Sequence, residues 1–259
     1  MPFAEANGIH THYEITGHAG LPVLTFSHSL GADLDMWLGQ VDSLNSYFQI
    51  LRYDARGHGQ SATASGPASI ADMGRDVLGL LDALNVQTTS FCGISMGGLI
   101  GQWLGIHAPH RVDKLVLANT ATKIGNTESW NTRIATVQQE GLQTIVDGTL
   151  ERWFIAGFRE EHPEVVDGIR AGFLKTDPAG YAACCAAIRD ADFRNEVCQI
   201  ASPTLVIAGS ADPVTTLADG QFLASQIASA SYVEVKAAHL SNLGAADFFN
   251  EALRGFFNH

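Results

Sequence analysis

The chain has 259 residues, of which 46% are hydrophobic and 16% charged, and its formal net charge is −12. This length and composition predict one globular domain with a large core, and the acidic balance argues against nucleic acid or an anionic membrane as a partner. No apolar stretch has the length of a membrane span and the first residues lack an export signal, so we expect a cytoplasmic protein.

The first half of the chain alternates short apolar runs with helical patterns. Strands are expected at residues 9–15, 23–26, 48–53, 88–92 and 115–118. Between them, apolar residues from Ile70 to Leu84 recur at the spacing of one helix face, with Ser69 as a plausible N-cap, and residues 99–106 continue as a second helix.

The second half begins with a long stretch in which helical patterns follow one another without a strand. Afterwards strands are expected at residues 204–208 and 232–235, with helices around 217–227 and near 248–257. The alternation predicts an α/β fold, a mostly parallel twisted sheet flanked by helices. We expect residues 1–120 and 197–259 to form its core and residues 121–196 an inserted helical lid.

A Gly-x-Ser-x-Gly sequence follows the strand at 88–92 directly and precedes a helix. It reads Gly93-Ile94-Ser95-Met96-Gly97. A serine on a tight strand-to-helix turn needs small neighbours, because a Cβ at either glycine would collide with the adjoining strand or helix. The pattern predicts that Ser95 is a nucleophile.

A serine nucleophile requires a base and an orienting acid. Asp212 and His239 follow the strands at 204–208 and 232–235, so they fall at the same edge of a parallel sheet as Ser95. The preceding strand ends in Asn119 and Thr120, which cannot carry the charge. We therefore predict a catalytic triad of Ser95, Asp212 and His239.

Five motifs in this order resemble the α/β-hydrolase superfamily over essentially the whole chain. They are His28-Ser29-Leu30-Gly31, Asp54-Ala55-Arg56-Gly57-His58-Gly59-Gln60-Ser61, the Ser95 turn, Gly209-Ser210-Ala211-Asp212 and Ala238-His239. Finer strings are similar to the 3-oxoadipate enol-lactonases of bacterial aromatic degradation. These are Ser29-Leu30-Gly31-Ala32-Asp33 with Met36-Trp37, Phe91 to Gly98, Asn119-Thr120-Ala121, Arg152-Trp153-Phe154 and His239-Leu240-Ser241-Asn242.

The resemblance implies a cofactor-free and metal-free hydrolysis of 3-oxoadipate enol-lactone through an acyl-serine. The backbone amides of Leu30 and Met96 would hold the oxyanion. Many members of the superfamily have glycine after the first histidine of the oxyanion loop, where this chain has Ser29. Ser29 reduces backbone freedom, but the resemblance to the enol-lactonases includes a serine at this position.

The expected substrate is a small anionic lactone, whose carboxylate an arginine fork would bind best. Arg133 lies three residues after Trp130 on a helical pattern, so both side chains share a face that could point toward Ser95. An alternative is equally compatible with the sequence, in which Arg133 is solvated and Trp130 packs inside the lid. Trp153 is the other lid tryptophan expected in the substrate pocket.

Two other classes of function remain open, another hydrolase activity and ligand binding without catalysis. The same triad would serve a general carboxylesterase or a hydrolase of C–C bonds, and a non-catalytic ligand receptor of this fold could also retain it. A homo-oligomer is compatible with the sequence. Asp54, Arg56 and His58 are interpreted as residues that brace a loop.

The sequence contains two groups of residue types that often bind metals, and we predict a metal site at neither. His10 and His12 share a face of one strand, which we expect to be solvated. The four cysteines, Cys92, Cys184, Cys185 and Cys198, have neither a disulfide nor a zinc spacing.

Overall fold

A computed structural model describes residues 2–64 and 66–258. They form an eight-stranded sheet of order β1-β2-β4-β3-β5-β6-β7-β8. The strands are β1 Phe3–Ala6, β2 Ile9–Thr16, β3 Val23–Ser27, β4 Gln49–Tyr53, β5 Thr89–Ile94, β6 Val112–Ala118, β7 Thr204–Gly209 and β8 Ala230–Val235. Strands β3 to β8 pair in parallel, whereas β2 pairs antiparallel with both β1 and β4.

Helices cover the sheet and connect its strands. They are α1 Leu38–Leu44, α2 Ile70–Ala83, α3 Met96–His107, α4 Thr127–Glu140, α5 Val146–Trp153, α6 Ala156–Glu161, α7 Pro163–Lys175, α8 Pro178–Asp190, α9 Leu217–Gln226, α10 Ser241–Gly244 and α11 Ala246–Phe257. The predicted α/β fold class is confirmed. Helix α3 begins three residues before the predicted start, directly after Ser95.

Strand β1 was not predicted, although the sequence carried a signal for it. Asn7 and Gly8 connect β1 to β2, and both have positive φ angles, 51° and 76°. An Asn-Gly pair with these angles forms the two-residue turn that suits the twist of a β-hairpin. The edge strand is therefore β1, and β2 lies one position inside the sheet.

The centre of the sheet is buried on both faces. Every residue of β5 and of β7 is buried, which explains why these strands read as continuous apolar runs instead of alternating ones. Because these strands are parallel, their carboxyl ends lie at one edge, and the loops that follow β5, β7 and β8 meet there.

Helix α2 begins as the sequence predicted. The Ser69 hydroxyl accepts from the Asp72 amide, and the Asp72 carboxylate accepts from the Ser69 amide, which makes a capping box. Later in the helix, Asp76 accepts two hydrogen bonds of 2.7 Å from Arg56. This buried pair fixes the loop after β4 to α2.

Helices α4 to α8 lie between β6 and β7, and none of residues 119–203, all of them described, belongs to a strand. Helix α8 approaches the loop after β4 closely. A Cβ added at Gly180 would lie 2.5 Å from Gly57 Cα and 2.8 Å from its carbonyl oxygen. The two glycines let the backbone of α8 contact the backbone of the loop after β4. Residues 119–203, called the helical segment below, therefore rest directly on the core. The boundaries of the lid at residues 121 and 196 remain a prediction.

The expectation of a solvated strand at His10 and His12 is wrong for the second residue. His10 is exposed beside Glu5, whereas His12 is buried and its Nδ1 lies 2.7 Å from Asp54 Oδ2. The two histidines differ in burial because His12 lies beside Asp54, the residue that directly follows β4. In the described part of the chain, no helix has the length and apolar character needed to cross a membrane.

We expect Gly180→Ala to lower the free energy of unfolding by about 1–3 kcal/mol, since the added methyl group would push α8 off the Gly57 backbone. The matched control is Gly168→Ala in α7, where an added Cβ meets nothing within 4 Å. This control should be stabilised by about 0.5–1 kcal/mol through helix propensity. Urea titration of both variants checks the contact, and equal shifts would contradict it.

Candidate active site

Ser95 occupies a strained turn between β5 and α3. Its φ is +57° and its ψ is −113°, a backbone conformation that residues other than glycine rarely adopt. A Cβ at Gly93 would lie 2.0 Å from the Gly97 carbonyl oxygen, and one at Gly97 would lie 2.2 Å from the Ser27 carbonyl oxygen. Both glycines are therefore required for α3 to start this close to the sheet.

Strand β6 supports the turn from the other side. The Ser95 amide donates to the Ala118 carbonyl at 3.0 Å, and the Thr120 hydroxyl donates to the Ser95 carbonyl at 2.9 Å. These bonds place the Ser95 side chain beyond the carboxyl edge of the sheet.

The structure joins two of the predicted triad residues directly. Asp212 follows β7 and His239 follows β8, and His239 Nδ1 lies 2.8 Å from Asp212 Oδ2. Ser95 lines the same cavity as His239. All three residues are nearly buried, with exposed fractions of 6% for Ser95, 6% for Asp212 and 1% for His239.

Asp212 is surrounded by hydrogen-bond donors. Its Oδ2 accepts from Asn119 Nδ2 at 3.0 Å and from the Thr215 hydroxyl at 2.7 Å, and its Oδ1 accepts from the amides of Val214 and Thr215. Burial by itself would raise the pKa of Asp212, but the charge of His239 and these donors outweigh it, so the pKa is lowered. The carboxylate is therefore held in its charged form.

The oxyanion candidates lie beside Ser95. Met96 is the first residue of α3, so its amide has no carbonyl partner inside the helix. Leu30 lines the cavity with Ser29, and none of the hydrogen bonds between residues 2–64 and 66–258 uses its amide. The predicted oxyanion loop is thus next to the cavity, and the assignment of both donors remains a prediction.

Ser95 and His239 open into a narrow cavity of about 60 Å³. Its other walls come from the oxyanion loop, from the loop after β7 and, mostly, from the helical segment. The lining residues of the segment are Ile124, Trp130, Arg133, Thr149, Arg152, Trp153, Tyr181 and Ile188. The cavity includes the three residues predicted to bind substrate, Trp130, Arg133 and Trp153.

Two guanidinium groups, those of Arg133 and Arg152, line this cavity. Arg133 donates to the Tyr181 hydroxyl and to the Thr149 hydroxyl, each at 2.7 Å, and Arg152 donates to the same Thr149 oxygen at 3.3 Å. No ion pair between described residues involves either arginine. Burial, and then the like charge of Arg133, lower the pKa of Arg152.

The helical segment is bonded to the histidine loop through its backbone. The His239 amide donates to the Arg152 carbonyl at 3.4 Å, and the Leu240 amide donates to the Trp153 carbonyl at 3.1 Å. Arg152 and Trp153, which bring a cation and an aromatic ring into the cavity, are therefore fixed relative to His239.

The sequence profile of the alpha/beta hydrolase fold family matches residues 22–173. The chain belongs to the α/β-hydrolase family. It is 43% identical to 3-oxoadipate enol-lactonase 2 of Acinetobacter baylyi over 96% of this chain and 93% of that protein. Identity to 3-oxoadipate enol-lactonase 1 of the same organism is 40%, over 94% of this chain and 91% of that protein. The crystal structure of the enol-lactonase from Burkholderia xenovorans LB400 superimposes with a TM-score of 0.98 at 43% identity, covering 100% of both chains.

Sequence reasoning about this hydrolase missed several residues of the site. Arg152 was passed over although it precedes Trp153, and Thr149 lies three residues before Arg152 on α5. That spacing places both on one helix face, which was an available signal. Asn119 was set aside because it cannot carry a charge, yet it donates to the acid instead. No sequence pattern pointed to Thr215 or Tyr181.

None of the His, Cys, Asp and Glu side chains within residues 2–64 and 66–258 forms a group of three or more that could hold a metal ion. The four cysteines are free, and burial raises the pKa of the Cys92, Cys184 and Cys185 thiols.

The lowered pKa of Asp212 has a consequence for the pH dependence of stability. A carboxyl group whose folded-state pKa lies below its unfolded value adds stability above the unfolded value, about pH 3.9, and this stability is lost as the pH falls through the folded pKa. Asp212→Asn has no titrating group at this position. We expect the free energy of unfolding of the wild type, minus that of Asp212→Asn, to fall as the pH drops below about 4. Denaturant titrations from pH 7 to pH 3 measure it, and a constant difference would contradict it.

Proposed function

We propose that this hydrolase opens 3-oxoadipate enol-lactone to 3-oxoadipate through an acyl-serine intermediate. The observation that carries the proposal is the pair of guanidinium groups, Arg133 and Arg152, which line one cavity with Ser95 and form no ion pair with another described residue. The named enol-lactonases that the chain resembles over nearly its whole length support the choice of lactone.

Ser95 is the proposed nucleophile and His239 the base. Asp212 accepts from His239 Nδ1, which leaves Nε2 as the acceptor for the Ser95 proton and stabilises the imidazolium that forms. The Ser95 oxygen then adds to the lactone carbonyl carbon, and the Asn119 and Thr215 donors keep Asp212 charged throughout.

The negative charge of the tetrahedral intermediate falls on the former carbonyl oxygen. The amides of Leu30 and Met96 are the proposed donors to it, and each such donor is typically worth about 3 kcal/mol of the barrier. They act in a nearly buried site, where a hydrogen bond to an anion is stronger than in water.

Collapse of the intermediate breaks the bond between the acyl carbon and the ring oxygen. The leaving group is an enol oxygen, which departs more readily than an alkoxide and needs less help from the His239 proton. The released enolate takes the proton from His239 and becomes the ketone, which returns His239 to its neutral form. No fragment is lost, because the carbon chain of the opened ring keeps the two halves joined. Water activated by His239 adds to the acyl carbon and releases Ser95 and the product carboxylate.

The substrate's carboxymethyl group is the proposed ligand of Arg133 and Arg152. The whole protein carries a net charge of −12, so attraction of an anion must come from local charge. Thr149 and Tyr181 hold the arginines with neutral oxygens, and neither guanidinium forms an ion pair with another described residue. The narrow cavity also favours a small lactone over a long acyl chain.

We propose that helices α4 to α8 act as the lid of this site and supply its specificity. The cytoplasmic location and a homo-oligomeric state remain predictions from the sequence.

Ser95→Ala and His239→Ala should each lower kcat by about 10⁴-fold or more, because the triad acts as a unit. For the same reason the double variant should be little slower than either single one. Steady-state rates on the enol-lactone measure this, with circular dichroism as the check on folding. A Ser95→Ala enzyme that kept a tenth of the wild-type rate would refute the nucleophile.

Arg133→Met and Arg152→Met should each lower kcat/KM for the enol-lactone. The loss should correspond to about 2–3 kcal/mol of activation free energy, the worth of a hydrogen bond to a charged group. Hydrolysis of a neutral aryl acetate should change little, since that ester has no carboxylate to bind. The two losses should not add, because the arginines share Thr149 and one ligand.

The matched control for the arginines is Arg189→Met. Arg189 belongs to the same helical segment but pairs with Asp190 at the surface, so both rates should stay near wild type. Equal losses on the lactone and the neutral ester would remove the arginines from carboxylate binding and favour a general carboxylesterase.

A further inference from the structure

His58 lies in the loop after β4 and takes no part in the proposed triad, yet it contacts the oxyanion loop directly. Its Nε2 accepts a hydrogen bond of 2.9 Å from the Gly31 amide, the residue next to Leu30. Its Nδ1 lies 3.1 Å from the Arg56 carbonyl oxygen. A backbone amide can only donate and a carbonyl can only accept, so His58 is neutral and carries its proton on Nδ1.

The surroundings of His58 keep it in this form. The imidazole is buried, and burial, followed by the neighbouring His28, lowers the pKa of His58 to about 3. His28 repeats the arrangement, because its Nδ1 lies 2.8 Å from the Ser29 carbonyl and its Nε2 accepts from the Ala55 amide at 2.8 Å. Two neutral imidazoles therefore join the oxyanion loop to the loop after β4.

The oxyanion loop has little freedom on its other side. Gly31 has a φ of +80°, and a Cβ there would lie 2.5 Å from the Phe173 ring of α7 and 3.1 Å from the Tyr181 ring of α8. The peptide between Leu30 and Gly31 is thus held between the helical segment and His58. Movement of Gly31 away from His58 would rotate this peptide and alter the aim of the neighbouring Leu30 amide.

We infer that His58 is a positioning residue, which orients the Leu30 amide toward the oxyanion by accepting the Gly31 amide. The inference rests on the proposed function, since it assigns a role within the proposed oxyanion hole. A donor acts on the transition state only when it is aimed at the developing charge, so an error in its position should slow the chemical step and leave ground-state binding intact.

Two substitutions separate the acceptor from the rest of the side chain. In His58→Asn the amide nitrogen can replace Nδ1 and still donate to Arg56, but no atom reaches Gly31. In His58→Gln the side-chain oxygen reaches the position of Nε2 and can accept from Gly31. We expect His58→Asn to lower kcat by about 10- to 100-fold with KM changed less than threefold, and His58→Gln to stay within about fivefold of wild type.

An arylboronic acid provides a readout that a purely structural role would not move. The Ser95 oxygen adds to boron while its proton passes to His239, and the tetrahedral adduct places one oxygen in the oxyanion hole. Its affinity should fall in His58→Asn by about the same factor as kcat. The unfolding midpoints of both variants should remain close together, and nitrogen NMR of the wild type should show His58 protonated on Nδ1.

The outcomes separate this inference from the proposed substrate. A wild-type enzyme that hydrolyses aryl acetate but not the enol-lactone refutes the substrate, and the loss in His58→Asn on aryl acetate still decides the role of His58. Equal kcat and boronate affinity in His58→Asn and wild type would overturn the inference. So would losses of the same size in both variants, or a His58 protonated on Nε2.

Discussion

The close approach of α3 to the sheet is the constraint on which the site depends. A Cβ at Gly93 or Gly97 would collide with backbone atoms, so neither position can hold a larger residue unless the helix moves. The strain of the Ser95 conformation is offset by two hydrogen bonds: the Ser95 amide donates to the Ala118 carbonyl at the end of β6, and the Thr120 hydroxyl donates to the Ser95 carbonyl. The helix start that results also leaves the Met96 amide free of a partner inside the helix, which couples the position of Ser95, the proposed nucleophile, to that of a proposed oxyanion donor.

Much of the core could be predicted because its signals are local. Buried parallel strands require continuous apolar runs, and the turn at Ser95 requires glycines at fixed spacing, so both are visible in a few consecutive residues. The prediction that Ser95, Asp212 and His239 lie at one edge of the sheet followed from the rule that parallel strands end at the same edge. Strand β1 was not predicted, although the Asn7-Gly8 pair is a local signal for the hairpin that contains it.

The remaining features depend on contacts between residues distant in the chain. His12 is buried because of Asp54, 42 residues later, and Asn119 serves the acid 93 residues away. The sequence shows neither partner beside the other. The same holds for the arginines, since Arg133 and Arg152 become a pair only when α4 and α5 turn toward one cavity. A charged residue on a helix has a solvated alternative until the packing of that helix is known.

The backbone bonds from Arg152 and Trp153 to the histidine loop restrict how the cavity can exchange its contents. If helices α4 to α8 swung outward as one rigid flap, these bonds would break and the neighbourhood of His239 would be disturbed in every cycle. Exchange of substrate and product is then better served by local changes at the mouth of the cavity, while α5 stays docked against the histidine loop. In that arrangement α5 carries residues proposed to bind the substrate and also holds the loop of His239, the proposed base, so the two proposed tasks share one rigid frame.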